Sequence, residues 1–149
     1  MPGYEPNNPE YAQRVQASFD RQGAMALLGA KLARVAPGEC DIELPFKPEL
    51  TQQHGYFHGG IIGTIADSAG GYAAFSLMPA DSSVLTVEYK MNLLAPGDGD
   101  LLIARGRVVK AGRTLVVTQI DVFVSKAGSE TLCATLLETL MTMHGRPDL

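Results

Sequence analysis

One stretch of the chain concentrates its chemical potential: His58-Gly59-Gly60-Ile61-Ile62-Gly63-Thr64-Ile65-Ala66-Asp67-Ser68-Ala69-Gly70-Gly71-Tyr72. Its side chains are apolar or small on every face of a helix, so a helix here is expected to be buried nearly all round. Asp67 stands out against that background. A carboxylate in such a helix either finds a partner or takes a raised pKa, and perturbed carboxylates mark functional sites as well as structural networks. His58-Gly59-Gly60 falls where the helix begins. Free N–H groups and the positive end of the helix dipole suit that terminus to an anion or a polarised carbonyl, and paired glycines let a ligand approach the backbone closely. The same residues also have a plain structural reading, with Asp67 bonded to Thr64 or Ser68 and the two glycines forming an ordinary loop-to-helix junction.

Geometry ties the two features together. At 1.5 Å rise per residue, Gly59 and Asp67 lie about 12 Å apart along the helix axis. Each would have to come within roughly 3 Å of its reacting atom, so one copy of the helix cannot bring both to one carbonyl carbon. Two antiparallel helices related by a dyad would set Gly59 of one chain opposite Asp67 of the other, twice. A reaction that uses both residues therefore predicts a dimer with shared sites. His54, His58 and Asp67 do not make a convincing metal set, because the remaining histidine, His144, is at the far end of the chain, and no metal is expected.

The elements that must hold these residues can be read from periodicity. Asn8-Pro9-Glu10 opens a helix running to about Gln22 with Val15 and Phe19 on one face, and Met25–Gly29 leads into strands. Lys31–Val35 and Cys40–Leu44 flank Ala36-Pro37-Gly38-Glu39, a type II turn. A loop with Gln52 and His54 precedes the apolar segment Gly59–Leu77, in which Gly63, Gly70 and Gly71 each cost about 1 kcal/mol relative to alanine and call for a reason such as a closely approaching backbone or a tunnel beside the helix. Four strand runs follow, Val84–Leu94, Leu101–Lys110, Thr114–Ser125 and Glu130–Thr142. The junctions Ala95–Gly99, Ala111-Gly112 and Ala127-Gly128 read as three successive hairpins between antiparallel neighbours. In the first run Thr86 is expected to share a face with Glu88, Lys90 and Asn92. One long curved sheet and one apolar helix make an α+β domain in which the sheet wraps the helix.

Composition bounds the function. The chain has 149 residues, 46% hydrophobic and 19% charged, with a formal charge of −4, which fits one globular domain and argues against a dedicated nucleic-acid binder. The apolar segment is interrupted by Thr64, Asp67 and Ser68, so no membrane span is expected, and the opening Met1-Pro2-Gly3-Tyr4-Glu5 does not resemble a signal peptide. Cys40 and Cys133, distant and inside strand runs, read as buried free thiols. A cytoplasmic protein is expected.

His58-Gly59-Gly60 with Asp67 nine residues beyond the histidine, on this order of elements, resembles the hotdog-fold acyl-CoA thioesterases, specifically the phenylacetate-pathway-like branch. The resemblance implies that the Gly59 amide polarises a thioester carbonyl and that Asp67 of the partner subunit is base or nucleophile. It implies that Gln52, seven residues before the glycine, orients the lytic water or the thioester, and that Thr86 supplies a hydroxyl beside that water. Gly71 stands where some relatives carry a hydroxyl, which leaves Thr86 that role. His58 fixes the loop or takes part in the chemistry, and Gly60 borders the substrate. CoA, as part of the substrate and not as a cofactor, is expected along the turn Lys110-Ala111-Gly112-Arg113-Thr114-Leu115 and the loop near Leu93–Asp98. There Arg105, Arg107, Lys110 and Arg113 gather cations suited to its phosphates. Hydrolysis of an acyl-CoA to a carboxylic acid and free CoA is the function implied. A hotdog hydratase or dehydratase and a non-catalytic acyl-CoA-binding protein are the alternatives. Open sheet edges and the family habit together point to a homotetramer built as a dimer of dimers.

Overall fold

The computed structural model describes residues 3–148. The chain order is α1 (Tyr11–Asp20), α2 (Gly23–Leu28), β1 (Lys31–Ala36), β2 (Glu39–Pro45), a 3-10 turn (Pro48–Leu50), α3 (Gly59–Phe75), β3 (Ser82–Leu93), β4 (Leu101–Ala111), β5 (Leu115–Lys126) and β6 (Ser129–His144). The six strands form a single antiparallel sheet in the order β1-β2-β4-β5-β6-β3, and α3 packs against five of them. This is the α+β arrangement, a sheet wrapped on one helix, that the order of elements predicts, and the hotdog fold that the resemblance implies. No helix is long and apolar enough to cross a membrane among the described residues.

Alternation builds the sheet floor. In β2 the buried Cys40, Ile42 and Leu44 alternate with half-buried Asp41, Glu43 and Pro45, and β5 does the same with Val116, Thr118, Ile120, Val122 and Val124. Those inward residues meet Ile62, Ile65, Ala66, Ala69 and Ala73 of α3 in one core. Gly38 takes the left-handed conformation (φ 79°) that the Pro37-Gly38 turn demands. Both thiols are free and buried, and burial pushes Cys133 up to about 11 and Cys40 further still.

Three expectations are corrected. First, Met25–Gly29 is not a run-in to strands: it belongs to α2, which buries Met25 and Leu28 and stops at Gly29 in the left-handed conformation. Second, β3 and β4 are not neighbours. The N–H groups of Leu94 and Ala95 bond to the Cys133 carbonyl on β6, that of Phe57 to the Gly97 carbonyl, and that of Asp100 to the Ser125 carbonyl. The junction is thus a strap carrying the chain from the β3 edge past the start of α3 to the middle of the sheet, where β2 and β5 already occupy both sides of β4. Third, α3 is not covered all round. Its last two turns are, but Gly60, Thr64, Asp67 and Ser68 form an open stripe along one flank.

Close approach fixes where α3 lies. A Cβ at Gly106 on β4 would sit 2.6 Å from the Ala69 carbonyl oxygen of α3 and 3.0 Å from the Gly70 nitrogen. Arg14 of α1 holds the other end of the helix, donating to the carbonyls of Pro79 (2.6 Å) and Phe75 (3.3 Å). The Gly106→Ala variant, which sets backbone against backbone, is expected to lose about 1–3 kcal/mol in denaturant unfolding. Gly71→Ala meets only Leu140 Cδ2 at 3.5 Å and gains up to about 1 kcal/mol of helix propensity, so its midpoint is expected to stay or rise.

Candidate active site

Asp67 projects from the open stripe of α3, half-buried, and Thr86 Oγ1 donates to its Oδ1 at 2.6 Å. That contact depends on a β-bulge. Thr86 pairs with Leu140, yet Glu88 pairs with Thr139, so the register slips by one residue at Val87. Thr86 is turned inward toward α3, and Glu88 outward, where its Oε1 accepts from Thr139 at 2.7 Å. The expected common face of Thr86 with Glu88, Lys90 and Asn92 is therefore broken, because simple alternation does not survive an inserted residue. Thr64 and Ser68 do not serve Asp67. The Thr64 hydroxyl donates to the Gly60 carbonyl (2.8 Å) and the Ser68 hydroxyl to Gln22 Oε1 (3.2 Å).

Behind this pair lies Glu138, which sequence reasoning passed over. It is fully buried, accepts from Thr118 Oγ1 at 3.3 Å and stands 3.5 Å from Thr86 Oγ1. Burial, reinforced by the hydrogen bond and negative charge of Asp67, pushes its pKa up to about 10, so it is a neutral acid at neutral pH. The signal was present in the strand period: Leu136, Glu138 and Leu140 share the inward face of β6, and an acid between two leucines on a core face needs a reason. Gly70 is the matching feature on the helix, since a Cβ there would lie within 2.0 Å of Glu138 Oε2. Gly70 thus accommodates neither a backbone nor a tunnel but a carboxyl group.

The start of α3 is a separate centre. His58 is the N-cap residue, its extended backbone (φ −63°, ψ 137°) leading into the helix. Its Nδ1 accepts from the Gly60 N–H at 2.9 Å, which occupies that amide and leaves the Gly59 N–H as the open donor. Gln52 sits beside it. The Gln52 side-chain oxygen accepts from the N–H of His54 (2.6 Å) and of Tyr56 (3.3 Å), fixing the loop and leaving the amide nitrogen as a donor. Gln52, Gly59, Ile62, Leu93 and Pro96 help line a cavity of 480 Å³. Asp67 and Thr86 open on a different cavity of 390 Å³, walled by Ser18, Gln22, Ser68 and Tyr72. The Tyr72 hydroxyl there contacts Ser18 Oγ (3.1 Å) and accepts from Gln22 Nε2 (2.7 Å), so α1 and the junction between α1 and α2 form a wall that sequence reasoning did not assign.

The expected cluster of cations is partly neutralised. Arg105 makes a two-pronged bond to Glu130 (2.9 and 3.0 Å) and lies over Phe123, and Arg107 pairs with Asp121 at 3.2 Å. Lys110 and Arg113 remain at the β4–β5 hairpin, where the Gly112 N–H donates to the Leu115 carbonyl. The tight turn needs Gly112, because a Cβ would lie 2.4 Å from that carbonyl oxygen. Gly112 and Arg113 border a cavity with Leu77, Met78 and Pro79, just past the end of α3. One chain therefore spreads the candidate residues along α3: Gly59 and Gln52 at its start, Asp67 with Thr86 midway, and the hairpin near its end.

Comparison with known proteins agrees with this architecture. Residues 54–131 match the thioesterase superfamily. A crystal structure of a thioesterase family protein from Silicibacter pomeroyi has a TM-score of 0.90 and 47% identity, covering 91% of this chain and 99% of that one. A putative esterase of Halobacterium salinarum is 33% identical over 82% of each chain. A 1,4-dihydroxy-2-naphthoyl-CoA hydrolase of Listeria monocytogenes is 25% identical over 67% of this chain and 81% of that one. The chain belongs to the thioesterase superfamily and is a thioester hydrolase. It has the hotdog fold of that superfamily, which the PaaI protein of E. coli shares at 19% identity and a TM-score of 0.82.

Two stability measurements check this description. His58→Ala removes the cap of α3 and is expected to cost about 0.5–2 kcal/mol, most of it recovered by His58→Asn. Native Glu138 holds a proton that the unfolded chain releases above the ordinary carboxylate range, so wild-type stability falls as pH rises from there toward 10. Asp67 is the charged group that faces it, with Thr86 and Thr118 as polar neighbours. Glu138→Gln removes the titration, so its advantage over wild type in denaturant unfolding is expected to grow between about pH 5 and about pH 9. A pH-independent difference would contradict a neutral Glu138.

Proposed function

We propose that the protein hydrolyses acyl-CoA thioesters to a carboxylic acid and free CoA at two sites, each shared between the subunits of a dimer. Asp67 of one subunit acts as general base or nucleophile, and the Gly59 N–H of the other polarises the thioester carbonyl. The observation that carries the reading is the separation of these groups into two half-sites, cavities of 390 and 480 Å³ that hold Asp67 and Gly59 respectively. Gly63, midway between them on α3, lies under Tyr89 and Met91 of β3, and the flank of Gly60, Thr64, Asp67 and Ser68 is open. An antiparallel copy of α3 laid along that flank pairs each Gly59 with the opposite Asp67. The open edge of β3, with Leu85, Val87 and Tyr89 exposed, suits strand pairing across the same dyad.

With Asp67 as base, it takes a proton from water while the oxygen adds to the thioester carbon. The carbonyl oxygen gains negative charge against the Gly59 N–H, and the CoA sulfur then leaves with the proton. As nucleophile, the Asp67 carboxylate would displace CoA to form an anhydride that water cleaves. The Gln52 amide orients water or thioester, Thr86 holds Asp67 in place, His58 fixes the turn, and Gly60 gives the substrate room. Lys110, Arg113 and the backbone at Gly112 bind CoA phosphates. The hydrolase of Listeria monocytogenes, a relative that acts on an acyl-CoA, supports that substrate class. A row of exposed apolar side chains, Leu85, Met141 and Leu115, crosses three strands of the outer face and suits the pairing of two dimers into a tetramer. Two free buried thiols suit a reducing compartment, and we assign the enzyme to the cytoplasm.

The test is thiol release from aryl and aliphatic acyl-CoA substrates. Asp67→Asn is expected to lower kcat by about 10²-fold or more. Gly59→Pro deletes one N–H at a position where proline is tolerated, after a residue already extended, and is expected to cost about 10²–10³-fold. Mixing the two inactive variants as exchanged subunits rebuilds one intact site per mixed dimer, so about a quarter of wild-type activity is expected to return. No recovery in mixtures shown to exchange would refute the shared site. No thiol release by the folded wild type from any acyl-CoA would refute the reading as a whole.

A further inference from the structure

We propose that Glu138 is a positioning residue for Asp67: a carboxylic acid whose O–H, acting through and beside the Thr86 hydroxyl, orients the Asp67 carboxylate. The inference rests on the reading of Asp67 as the reacting carboxylate.

The hydrogen-bond inventory assigns the proton. A threonine hydroxyl has one proton to give and lone pairs to receive with. Thr86 gives its proton to Asp67 Oδ1 at 2.6 Å, so it presents only lone pairs to Glu138 Oε1, 3.5 Å away. Glu138 Oε2, for its part, accepts from Thr118 Oγ1 at 3.3 Å. Oε1 then faces an acceptor on Thr86, with the Asp67 carboxylate as the neighbouring charge, and it can satisfy that contact only by carrying the proton itself. The resulting chain runs one way, from the Thr118 hydroxyl to Glu138, from Glu138 to Thr86 or Asp67, and from Thr86 to Asp67. The protonation that burial and the neighbouring Asp67 charge impose on Glu138 is the same one.

The fold is built around this acid. Glu138 is fully buried, and Gly70 leaves it a berth that any Cβ would fill, 2.0 Å from Oε2. A leucine between Leu136 and Leu140 would satisfy the core without the cost of desolvating a carboxyl group. Glu138 also lies beyond residues 54–131, the part of the chain that matches the superfamily, so the superfamily match does not assign it a role. Donors to a carboxylate favour its charged form, which is the form that either role of Asp67 requires.

The experiment compares pH–rate profiles of wild type, Glu138→Gln, Glu138→Leu and Thr118→Val, with Asp67→Asn as reference. Glutamine reproduces the protonated acid: its oxygen can accept from Thr118 and its amide N–H can donate toward Thr86 and Asp67. Glu138→Gln is expected to keep kcat within about 5-fold of wild type, with an unmoved acid limb in kcat/KM. Glu138→Leu is expected to lower kcat by about 10–100-fold with KM nearly constant, and to move the acid limb up by about one pH unit. Thr118→Val, a near-isosteric change that only releases Oε2, is expected to move the limb the same way by less, and it decides the matter if Glu138→Leu does not fold. Unchanged profiles for Glu138→Leu, or for Thr118→Val in that case, would overturn the proposal, as would a Glu138→Gln variant as damaged as Glu138→Leu. An active wild type whose Asp67→Asn variant is inactive keeps the thioesterase reading intact in each of those cases. Failure of that reading is seen separately, as a wild type without activity or an Asp67→Asn variant that retains it.

Discussion

Helix α3 lies so close to the sheet that backbone meets backbone, and the absence of a Cβ at Gly106 is what permits it. From that contact the remaining geometry follows. With the Ala69 carbonyl resting on β4, the next residue, Gly70, faces the floor between β5 and β6, where only a glycine leaves space for Glu138, Ile120 and Thr118. One turn before Gly70, Asp67 then faces the β3 edge instead of the core, within reach of Thr86. A helix held an ångström further out would bury the same apolar side chains less tightly and would pull the carboxylate away from its hydroxyl partner.

The helix is clamped at both ends by different chemistry. At its start, His58 caps the first turn and Gln52 ties the preceding loop, so that the open Gly59 amide is presented on a fixed backbone. At its end, the Arg14 guanidinium of α1 gathers the carbonyls of Phe75 and Pro79 and lies over the Phe75 ring. Burial lowers the Arg14 pKa, a cost that its carbonyl partners at the negative end of the helix offset. The N-terminal helix therefore does two things at once: it anchors the end of α3 and, through Ser18 and the neighbouring Gln22, walls the cavity beside Asp67.

Much of this was legible in the chain. Alternation located β2 and β5, the Pro37-Gly38 and Ala127-Gly128 turns marked hairpins, and an apolar run with one carboxylate identified α3 and Asp67. What was not legible has physical causes. Strand partners are a non-local choice, so a Gly- and Pro-rich junction looked like a hairpin whether or not β3 and β4 pair, and the strap between them is read only from its bonds to Phe57 and Ser125. The bulge at Val87 leaves no mark in composition, since the inserted residue is an ordinary β-former. Ion pairing removed Arg105 and Arg107 from the cationic turn because their partners, Glu130 and Asp121, come from β6 and β5. Glu138 was visible in principle, as the odd member of an inward-facing row, but its meaning required Gly70, remote in sequence.

The slip at Val87 has a consequence of a different sort. Upstream of it Val84 and Thr86 turn toward α3, and downstream Tyr89 and Met91 do, with the joint between the two phases carried by a single residue. Point changes along β3 alter one side chain at a time, but removing a single codon there would rephase the whole strand on one side of the joint, turning either Thr86 away from Asp67 or Tyr89 and Met91 away from Gly63. The length of β3 is therefore under tighter constraint than its composition. Insertions and deletions accumulating in the family would be tolerated in the strap that follows Leu94 long before they were tolerated within the strand.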